Sequence, residues 1–562
     1  MLAPARYHNA VQMVYSAGIL DGESVNMRLP PALVPLRNGT FRTLWLASIV
    51  VWLGTWLQNT GAGWLMTSLD PSPMVVAMVQ AATILPVFLL ALPGGALADI
   101  VDRRFFLIVT QAFTMFAAAM LAIMTLMHAT TASSLLGFTF MIGVGSALTS
   151  PAWSASVPEL VPRWDLVQAV ALNSIGYNLA RAIGPALAGF LVALAGSGLA
   201  FSLFALTFPA VIGTLLLWRR RPHSNSLPPE HLISAMRAGM RFVRNTPAMQ
   251  FAMLRAFAYS VPAAAPWALL PLVVREQLHL GAGMYGMILG LMGVGGVSSG
   301  MLLPRLRGRY SQSTIVLGAS LCSCVGVAVL GLSRHWLPAS AGMLLFGLGW
   351  VAAYSTMQAA AQLCAPPWVR ARSLAIYQLG QNGALTVGSF GWGWLGSMVG
   401  LSTSLVVAAV VGIGLAIAVR GFSLDHIART APHEQAPSPE PEAPAPELVQ
   451  VLRRANGRVM EMMHYRVRPE EREIYLQAME DVRLVRGRTG ALFWQLYEDI
   501  AHPEGWLEVW SVENWTDHLR EVTRLSIDDR ALLARVAVFR RDGMAPPPTR
   551  YLAVDPPHRL RA

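Results

Sequence analysis

Charged residues recur at matched places in the two halves of this 562-residue chain. The first place is GALADIVDRR (residues 95–104), and the second is GMLLPRLRGR (residues 300–309). A carboxylate near a helix N-terminus and within reach of arginine can make a charge-assisted contact that forms or breaks as helices move. The chemistry that these residues predict is gating. The gating residues are Gly95, Asp99, Asp102, Arg103, Arg104, Arg305 and Arg309.

Two arginines lie inside apolar stretches, where a charge is costly and usually faces a cavity or a partner. Arg181 belongs to NSIGYNLARAIGPALAG (residues 173–189), in which Asn178 and Arg181 share a helical face. Arg255 is the second such arginine, and no Asp or Glu falls mid-span to neutralise either. A cavity holding these cations would suit an anionic or catechol-type substrate. A structural role for Arg181, paired to backbone carbonyls, is an equal alternative.

Polar and aromatic residues of the apolar stretches complete a predicted substrate path, although any single one more often joins two helices. The predicted substrate-binding residues are Tyr177, Asn178, Arg181, Arg255, Gln358, Tyr377 and Gln381. Other candidates for the path are Gln58, Asn59, Trp64, Gln80, Gln111, Tyr354, Gln378 and Asn382. Trp52, Trp56, Trp392 and Trp394 are expected in interfacial belts.

The elements that must position these residues are membrane helices. Hydrophobic residues form 54% of the chain and charged residues 13%, against roughly 25% charged in a soluble domain. Apolar runs long enough for a bilayer, about 20 residues each, predict an all-α membrane protein of twelve helices in two six-helix repeats. The runs are 41–68, 72–98, 105–127, 132–155, 166–196, 199–218, 248–273, 283–303, 312–333, 338–362, 371–398 and 402–420.

Arginine placement predicts the orientation. Arginines crowd the segments that would face the cytoplasm, whereas Arg275 and Arg334 alone fall on the opposite face. A multi-pass protein of the cell inner membrane with both termini in the cytoplasm is therefore expected. The predicted parts are an N-terminal extension (1–36), a six-helix bundle (37–218), a central loop (219–246), a second bundle (247–421), a Pro/acid-rich linker (422–448), a ferredoxin-like domain (449–545) and a tail (546–562).

The first motif resembles that of the major facilitator superfamily, and the duplication, central loop and span number agree with it. In the second copy Pro304 replaces the acid, so an asymmetric latch is expected. The pattern around Arg181 resembles the branch that includes the enterobactin exporter and the transmembrane secretion effectors. This resemblance implies proton-driven export of a siderophore, an antibiotic-like compound or another amphiphile by alternating access. Direction and proton coupling come from the resemblance alone.

The segment after the linker predicts a soluble α+β domain of βαββα order, with a ferredoxin-like sheet. It resembles the dimeric antibiotic-biosynthesis monooxygenases, and His464, Trp494, Tyr497 and His518 would surround a ligand there. Packing or dimerisation is favoured over catalysis, because no acid-base pair stands out. The alternatives are a cofactor-free oxygenase, a ligand sensor and a scaffold without flux. The predicted partners are a small-molecule substrate and membrane lipid, with dimerisation through this domain as an option; no nucleic acid, cofactor or metal is expected.

Overall fold

The computed structural model describes residues 31–162, 165–218, 232–366, 368–424, 457–540 and 548–553. Most of the predicted N-terminal extension and linker, half of the central loop and much of the tail lie outside these ranges. Residues Pro31–Arg37 form a short 3-10 helix that leads into the first long helix.

Twelve α-helices precede the C-terminal domain in the described chain, and all except α6 are 18 residues or longer. Their bounds are α1 Gly39–Leu69, α2 Pro73–Ile100, α3 Arg103–Leu126, α4 Ala132–Leu160, α5 Leu166–Leu217, α6 Leu232–Arg244, α7 Pro247–Leu272, α8 Ala282–Arg307, α9 Gln312–Leu332, α10 Trp336–Cys364, α11 Arg370–Val399 and α12 Leu401–Ala418. A π-helical turn, Val273–Gln277, extends α7.

Ten helices of the described chain are long and apolar enough to cross a membrane. One of them, counted over Gln168–Leu217, has 50 residues, more than twice the ~20 that one crossing needs. Its backbone leaves the helical region at Ala195 and Gly196, where Gly196 adopts a φ of 77° that favours glycine. Helix α11 is not among the ten, because polar residues such as Arg372, Gln378 and Asn382 interrupt its apolar surface.

Local sequence explains where several helices begin. Asn38 caps α1 by accepting hydrogen bonds from the backbone N–H groups of Thr40 and Phe41 at 3.0 and 3.2 Å. Thr131 and Ser134 form a capping box at the start of α4. Such caps satisfy N–H groups that the first helical turn leaves without partners.

The helices form two bundles, α1–α5 and α7–α12, whose successive members run in opposite directions through short connections. Helices α2 and α5 of the N-terminal bundle pack against α11 and α8 of the C-terminal bundle. We call the end where α3 begins and α8 ends the basic end, because Arg103, Arg104, Arg305 and Arg309 lie there. The opposite end, which holds Arg275, is called the far end.

The C-terminal domain contains a four-stranded antiparallel sheet in the order β2-β3-β1-β4. Its elements are β1 Val459–Arg466, α13 Arg472–Thr489, β2 Phe493–Glu498, β3 Gly505–Val512, α14 Trp515–Arg524, α15 Ile527–Ala537 and β4 Thr549–Leu552. Strand β4 falls in the segment expected to be a tail, and it pairs with β1 from Val459 opposite Leu552 to Met462 opposite Thr549. Four residues are too short a run to stand out as a strand in the sequence.

Candidate functional site

The first motif builds the basic end of the N-terminal bundle. Asp102 caps α3 by accepting from the backbone N–H of Phe105 at 2.9 Å. Arg104 donates to the carbonyl of Leu215 at 2.8 Å and to that of Leu216 at 2.5 Å, which ties α3 to the last turn of α5. Within the described chain, Arg104 therefore joins helices of one bundle. The side chain of Asp99 and the surroundings of Gly95 lie outside what the structure describes.

The arginines of the second motif are exposed on the surface. Arg305 and Arg309 lie at the end of α8 and are exposed. Neither forms an ion pair with any described residue. The two motif copies therefore differ in structure as well as in sequence. In the first copy the side chain of Asp102 caps a helix, whereas the second copy, which contains Pro304, does not cap one.

A cavity of about 220 Å³ lies between the two bundles. The N-terminal bundle contributes polar and aromatic residues to its wall, and the C-terminal bundle contributes aromatic and other apolar residues. The lining residues are Trp52, Thr55, Trp56, Asn59, Thr60, Gln80, Thr83, Tyr177, Pro266, Trp267, Leu270, Tyr285, Leu289 and Met343. A concave, mostly apolar site with a few polar groups at a bundle interface is the usual form of a small-molecule site.

Two glycines of α5 leave room for tryptophan side chains of α1 beside this cavity. A Cβ on Gly176 would lie 3.1 Å from the Trp52 ring, and one on Gly184 would lie 2.7 Å from the side chain of Trp56. The spacing of these glycines in the 173–189 segment is thereby explained, because a larger residue would displace the rings. Trp52 and Trp56 line the cavity, and their expected place in an interfacial belt is wrong.

A run of aromatic contacts crosses from one bundle to the other. Trp56 stacks on Trp267 with ring centroids 6.3 Å apart, and Trp267 meets Trp350 edge-on at 5.8 Å. Trp350 in turn stacks on Tyr354 at 5.8 Å. Trp267 and Trp350 were not singled out from the sequence, where nothing distinguishes them from tryptophans that face lipid.

Arg181 is not among the residues that line the cavity, but its charge acts on Tyr354 across the bundle interface. Tyr354 of α10 is within electrostatic range of both Tyr177 and Arg181 of α5. Tyr177 also meets Trp52 edge-on at 5.7 Å. Arg181 is half-buried, and no hydrogen bond or ion pair links it to another described residue. The alternative in which Arg181 is tied to backbone carbonyls finds no support in these contacts.

Asn178 occupies a different position from its neighbours. Its amide donates to the carbonyl of Ser174 at 2.8 Å, and both residues are exposed. Asn178, like Arg181, is therefore not among the residues that line the cavity, whereas Tyr177 is.

Several buried polar atoms at the interface have no hydrogen-bond partner among the described residues. At the cavity wall these are Asn59 Oδ1, Thr60 Oγ1 and Trp267 Nε1. Toward the basic end they include Gln358 Oε1, Tyr377 Oη and Gln381 Nε2. Because buried polar groups are nearly always paired, such a concentration marks a place for a polar ligand or water.

Arg255 has a separate location from Arg181. It is 3% exposed, and it donates to the carbonyl of Arg420 at 2.9 Å and to that of Ser313 at 3.5 Å. Ser313 begins α9 and Arg420 follows α12. The structure thus places Arg255 where helix ends of the C-terminal bundle meet, away from the aromatic cavity.

Contacts at the far end close the cavity on that side. Arg275, in the π-helical turn after α7, donates to Thr67 Oγ1 at 3.0 Å and to Ser68 Oγ, both on α1. Its guanidinium lies 5.6 Å from the centre of the Trp64 ring, and Trp64 stacks on Tyr285 of α8 at 5.9 Å. Sequence reasoning missed this latch, although a lone arginine on the sparsely charged face was a usable signal.

The C-terminal domain buries a compact charge cluster between sheet and helices. Glu508, which is fully buried, accepts from Tyr465 at 2.7 Å, Trp494 at 3.0 Å and Arg486 at 3.1 Å. His518 contacts Glu461 at 2.5 Å. Burial opposes the ionisation of Glu461, but the hydrogen bond and charge of His518 outweigh it and hold the pKa of that carboxyl below its ordinary value.

The residues expected around a ligand in this domain divide between two locations. Trp494 and His518 belong to the buried cluster, whereas His464 and Tyr497 line an open depression at the end of the sheet. Glu461, His518 and Glu521 offer ligand atoms within 4.8 Å of one another. Arg486 and Arg550 already pair with these acids, at 3.4 Å each, so the cluster is balanced by arginine.

Comparisons with known proteins agree with this arrangement. A family profile described as "Transmembrane secretion effector" matches residues 31–557. The chain is 24% identical to the staphyloferrin A transporter of Staphylococcus aureus over 296 residues, which is 51% of this chain and 72% of that protein. It is also 24% identical to the enterobactin exporter EntS of Citrobacter koseri over 380 residues, which is 67% of this chain and 89% of the exporter.

Solved structures share the fold. A bacterial homologue of the human lysosomal transporter Spinster, solved in an inward-facing and unoccupied conformation, aligns with a TM-score of 0.55 at 14% identity. The alignment covers 70% of this chain and 98% of that one. The nucleoside transporter NupG aligns with a TM-score of 0.56 at 13% identity, over 68% and 99%. The chain is a multi-pass membrane transporter of the major facilitator type, and it belongs to the family of transmembrane secretion effectors.

Proposed function

We propose that the chain is a proton-driven exporter of an aromatic or anionic small molecule of the siderophore class. We further propose that it crosses the membrane twelve times. Helix α5 would cross twice, turning at Ala195–Gly196, and α11 would cross once among its neighbours. The arginines of the basic end favour its placement in the cytoplasm, which puts the C-terminal domain there too. Export and the siderophore class rest on what the relatives are named for.

The observation that carries the proposal is the aromatic cavity between the bundles. Stacked rings suit flat aromatic groups such as catechols, and Arg181 adds a positive charge near Tyr177 and Tyr354. Asn59, Thr60 and Trp267 offer buried polar atoms that a hydroxyl-rich ligand would satisfy. Substrate would therefore meet both bundles at once, as alternating access requires.

The contacts between the bundles favour an inward-open state. Arg275 with Thr67, and Trp64 with Tyr285, join the bundles at the far end. In the described chain, α4 makes no extensive contact with α10 or α11 at the basic end. A rocking motion that parts the far-end contacts and brings the basic ends together would expose the cavity to the outside.

Transport by inside-out membrane vesicles tests the function. Enterobactin, added outside such vesicles under a proton gradient, is expected to accumulate, and an ionophore that collapses the gradient is expected to abolish the accumulation. Arg181→Gln should reduce initial uptake about 10-fold, equivalent to ~1.4 kcal/mol. Arg42→Gln, an exposed cation near the start of α1 at the basic end, is the matched control and should transport normally.

Two results would contradict the proposal. Uptake that survives the ionophore would rule out proton drive. Uptake of acidic and catechol compounds by Arg181→Gln at the rate of the unmodified protein would remove Arg181 from the substrate site.

A further inference from the structure

Helix α6 of the central loop is packed onto the basic end of the C-terminal bundle. Phe242 meets Trp368 edge-on with ring centroids 6.2 Å apart. A Cβ on Gly239 would lie 3.0 Å from Cβ of Arg372 on α11. The part of the central loop that the structure describes is therefore in contact with the segment between α10 and α11.

The C-terminal domain rests on the same place. The Arg524 guanidinium of α14 lies 4.5 Å from the centre of the Trp368 ring. A Cβ on Gly487 of α13 would lie 2.6 Å from the side chain of Asn245, the residue that follows α6. Trp368 is thus held from two sides, by Phe242 of the loop and by Arg524 of the domain.

Electrostatics reinforces this contact. Burial lowers the pKa of Arg241 on α6, while the negative charges of Glu513 and Asp517 in the domain act against that lowering. A partly desolvated cation is stabilised by acids across an interface. The acids lie immediately before or within α14, the helix that also carries Arg524.

Helix α14 has a second face that points into the domain. His518 contacts Glu461 of β1, and Glu521 pairs with Arg486 at 3.4 Å. One short helix therefore connects the buried charge cluster with Trp368. Any rearrangement inside the domain that shifts α14 would also move Arg524 on the Trp368 ring.

We propose that the C-terminal domain is an autoinhibitory brace, which docks through Arg524 on Trp368 of the α10–α11 segment and through Gly487 on Asn245 of the central loop, so that the basic end is held open. This inference rests on the alternating access proposed above. Helices α10 and α11 must approach α4 at the basic end for the cavity to open outward, and the contacts on two sides of Trp368 restrain the segment that joins α10 to α11. Release of the domain then permits the cycle to proceed.

A disulfide across the contact provides the first test. The full chain, with Cys322, Cys324 and Cys364 replaced by alanine, carries Asn245→Cys and Gly487→Cys. Disulfide formation needs Cβ atoms about 3.5–4.5 Å apart, a distance consistent with this contact. The oxidised protein should transport at least 5-fold more slowly than after reduction. Failure to cross-link, or equal rates in both states, would overturn the brace.

A wedge variant provides the second test. Gly487→Leu should push the domain off Asn245 and raise transport about 3-fold, while Asn245→Ala added to it should restore the original rate. Gln477→Leu, at an exposed position of the same helix, should have no effect. A wedge that slows transport, or a double variant that fails to revert it, would contradict the proposal.

A conformational readout separates failure of the brace from failure of the proposed function. Gln80→Cys, in the cavity wall, is placed in the cross-linkable chain and treated with a membrane-impermeant thiol reagent from outside the cell. Reduction of the disulfide should speed labelling at least 5-fold, whether or not any tested compound is transported. Unchanged labelling would overturn the brace, whereas faster labelling without transport would count only against the proposed substrate.

Discussion

Gly189 and Gly286 face each other where α5 crosses α8, and a Cβ on Gly189 would lie 2.4 Å from Cα of Gly286. Backbone atoms cannot give way as a flexible side chain would. Small residues at such crossings let membrane helices approach closely. This pair therefore sets the distance between the two bundles beside the closed far end.

We expect Gly286→Ala to separate the bundles and destabilise the closed far end. Overpacking of this kind costs about 1–3 kcal/mol. The thermal midpoint of the purified protein in detergent should fall, and Gln80→Cys should become more reactive from outside. Gly283→Ala is the matched control on the same helix, because its Cβ would meet Ala193 at an ordinary 3.6 Å. Equal behaviour of the two variants would contradict this account of the crossing.

Arg275→Gln should weaken the far-end latch. Hydrogen bonds from a charged donor contribute about 1.5–3 kcal/mol, so the outward-open population should rise about 10-fold or more. External labelling of Gln80→Cys measures the change. Arg334→Gln, an exposed arginine of the same end, should label as the unmodified protein does. Unaltered labelling of Arg275→Gln would show that Thr67 and Ser68 do not depend on this arginine for closure.

Arg104→Gln should lower the stability of the N-terminal bundle, since it removes the donors to the Leu215 and Leu216 carbonyls. The expected loss is about 1.5–3 kcal/mol, read as a lower thermal midpoint. Arg305→Gln, its exposed counterpart in the second motif, should leave the midpoint unchanged. A drop of equal size in both would indicate a general effect of basic-end charge.

Glu508→Ala should unfold the C-terminal domain or make it sensitive to protease. Loss of this acid leaves Arg486 buried with one fewer partner, and breaking a buried pair costs about 3–5 kcal/mol. Glu498→Ala removes an exposed pair with Arg472 at 3.0 Å, a type that contributes about 0–1 kcal/mol. Limited proteolysis of the full chain should cut only the first variant rapidly. Protection of Glu508→Ala equal to that of Glu498→Ala would refute the structural role of the cluster.

The positions of the membrane helices follow closely from apolar runs. The predicted run 166–196 ends at the break in the helix, Ala195–Gly196, and the next run begins at residue 199. Hydropathy locates such boundaries because every crossing must bury its backbone in lipid or protein. The short strand β4 was not predicted, because it is stabilised by pairing with β1, which is distant from it in the sequence.

Side-chain roles were harder to predict. Arg181 and Arg255 look equivalent in sequence, yet the charge of Arg181 acts on Tyr354 of the other bundle, whereas Arg255 donates hydrogen bonds to the Ser313 and Arg420 carbonyls. Membrane helices are apolar on most sides, so periodicity does not reveal which face turns inward. Trp56 illustrates the same difficulty, because only the packing of Gly184 against it brings its ring to the cavity.

Helix α11 has a consequence for how the protein is made. Its polar residues make it less apolar than the ten helices that are long and apolar enough to cross a membrane, so it would partition poorly into lipid as an isolated segment during synthesis. Its neighbours α2, α7 and α12 supply the contacts that shield it. Insertion of α11 as a crossing would therefore depend on α2 and α7, which precede it in the chain, and substitutions in those two helices are expected first to impair biogenesis of the C-terminal bundle.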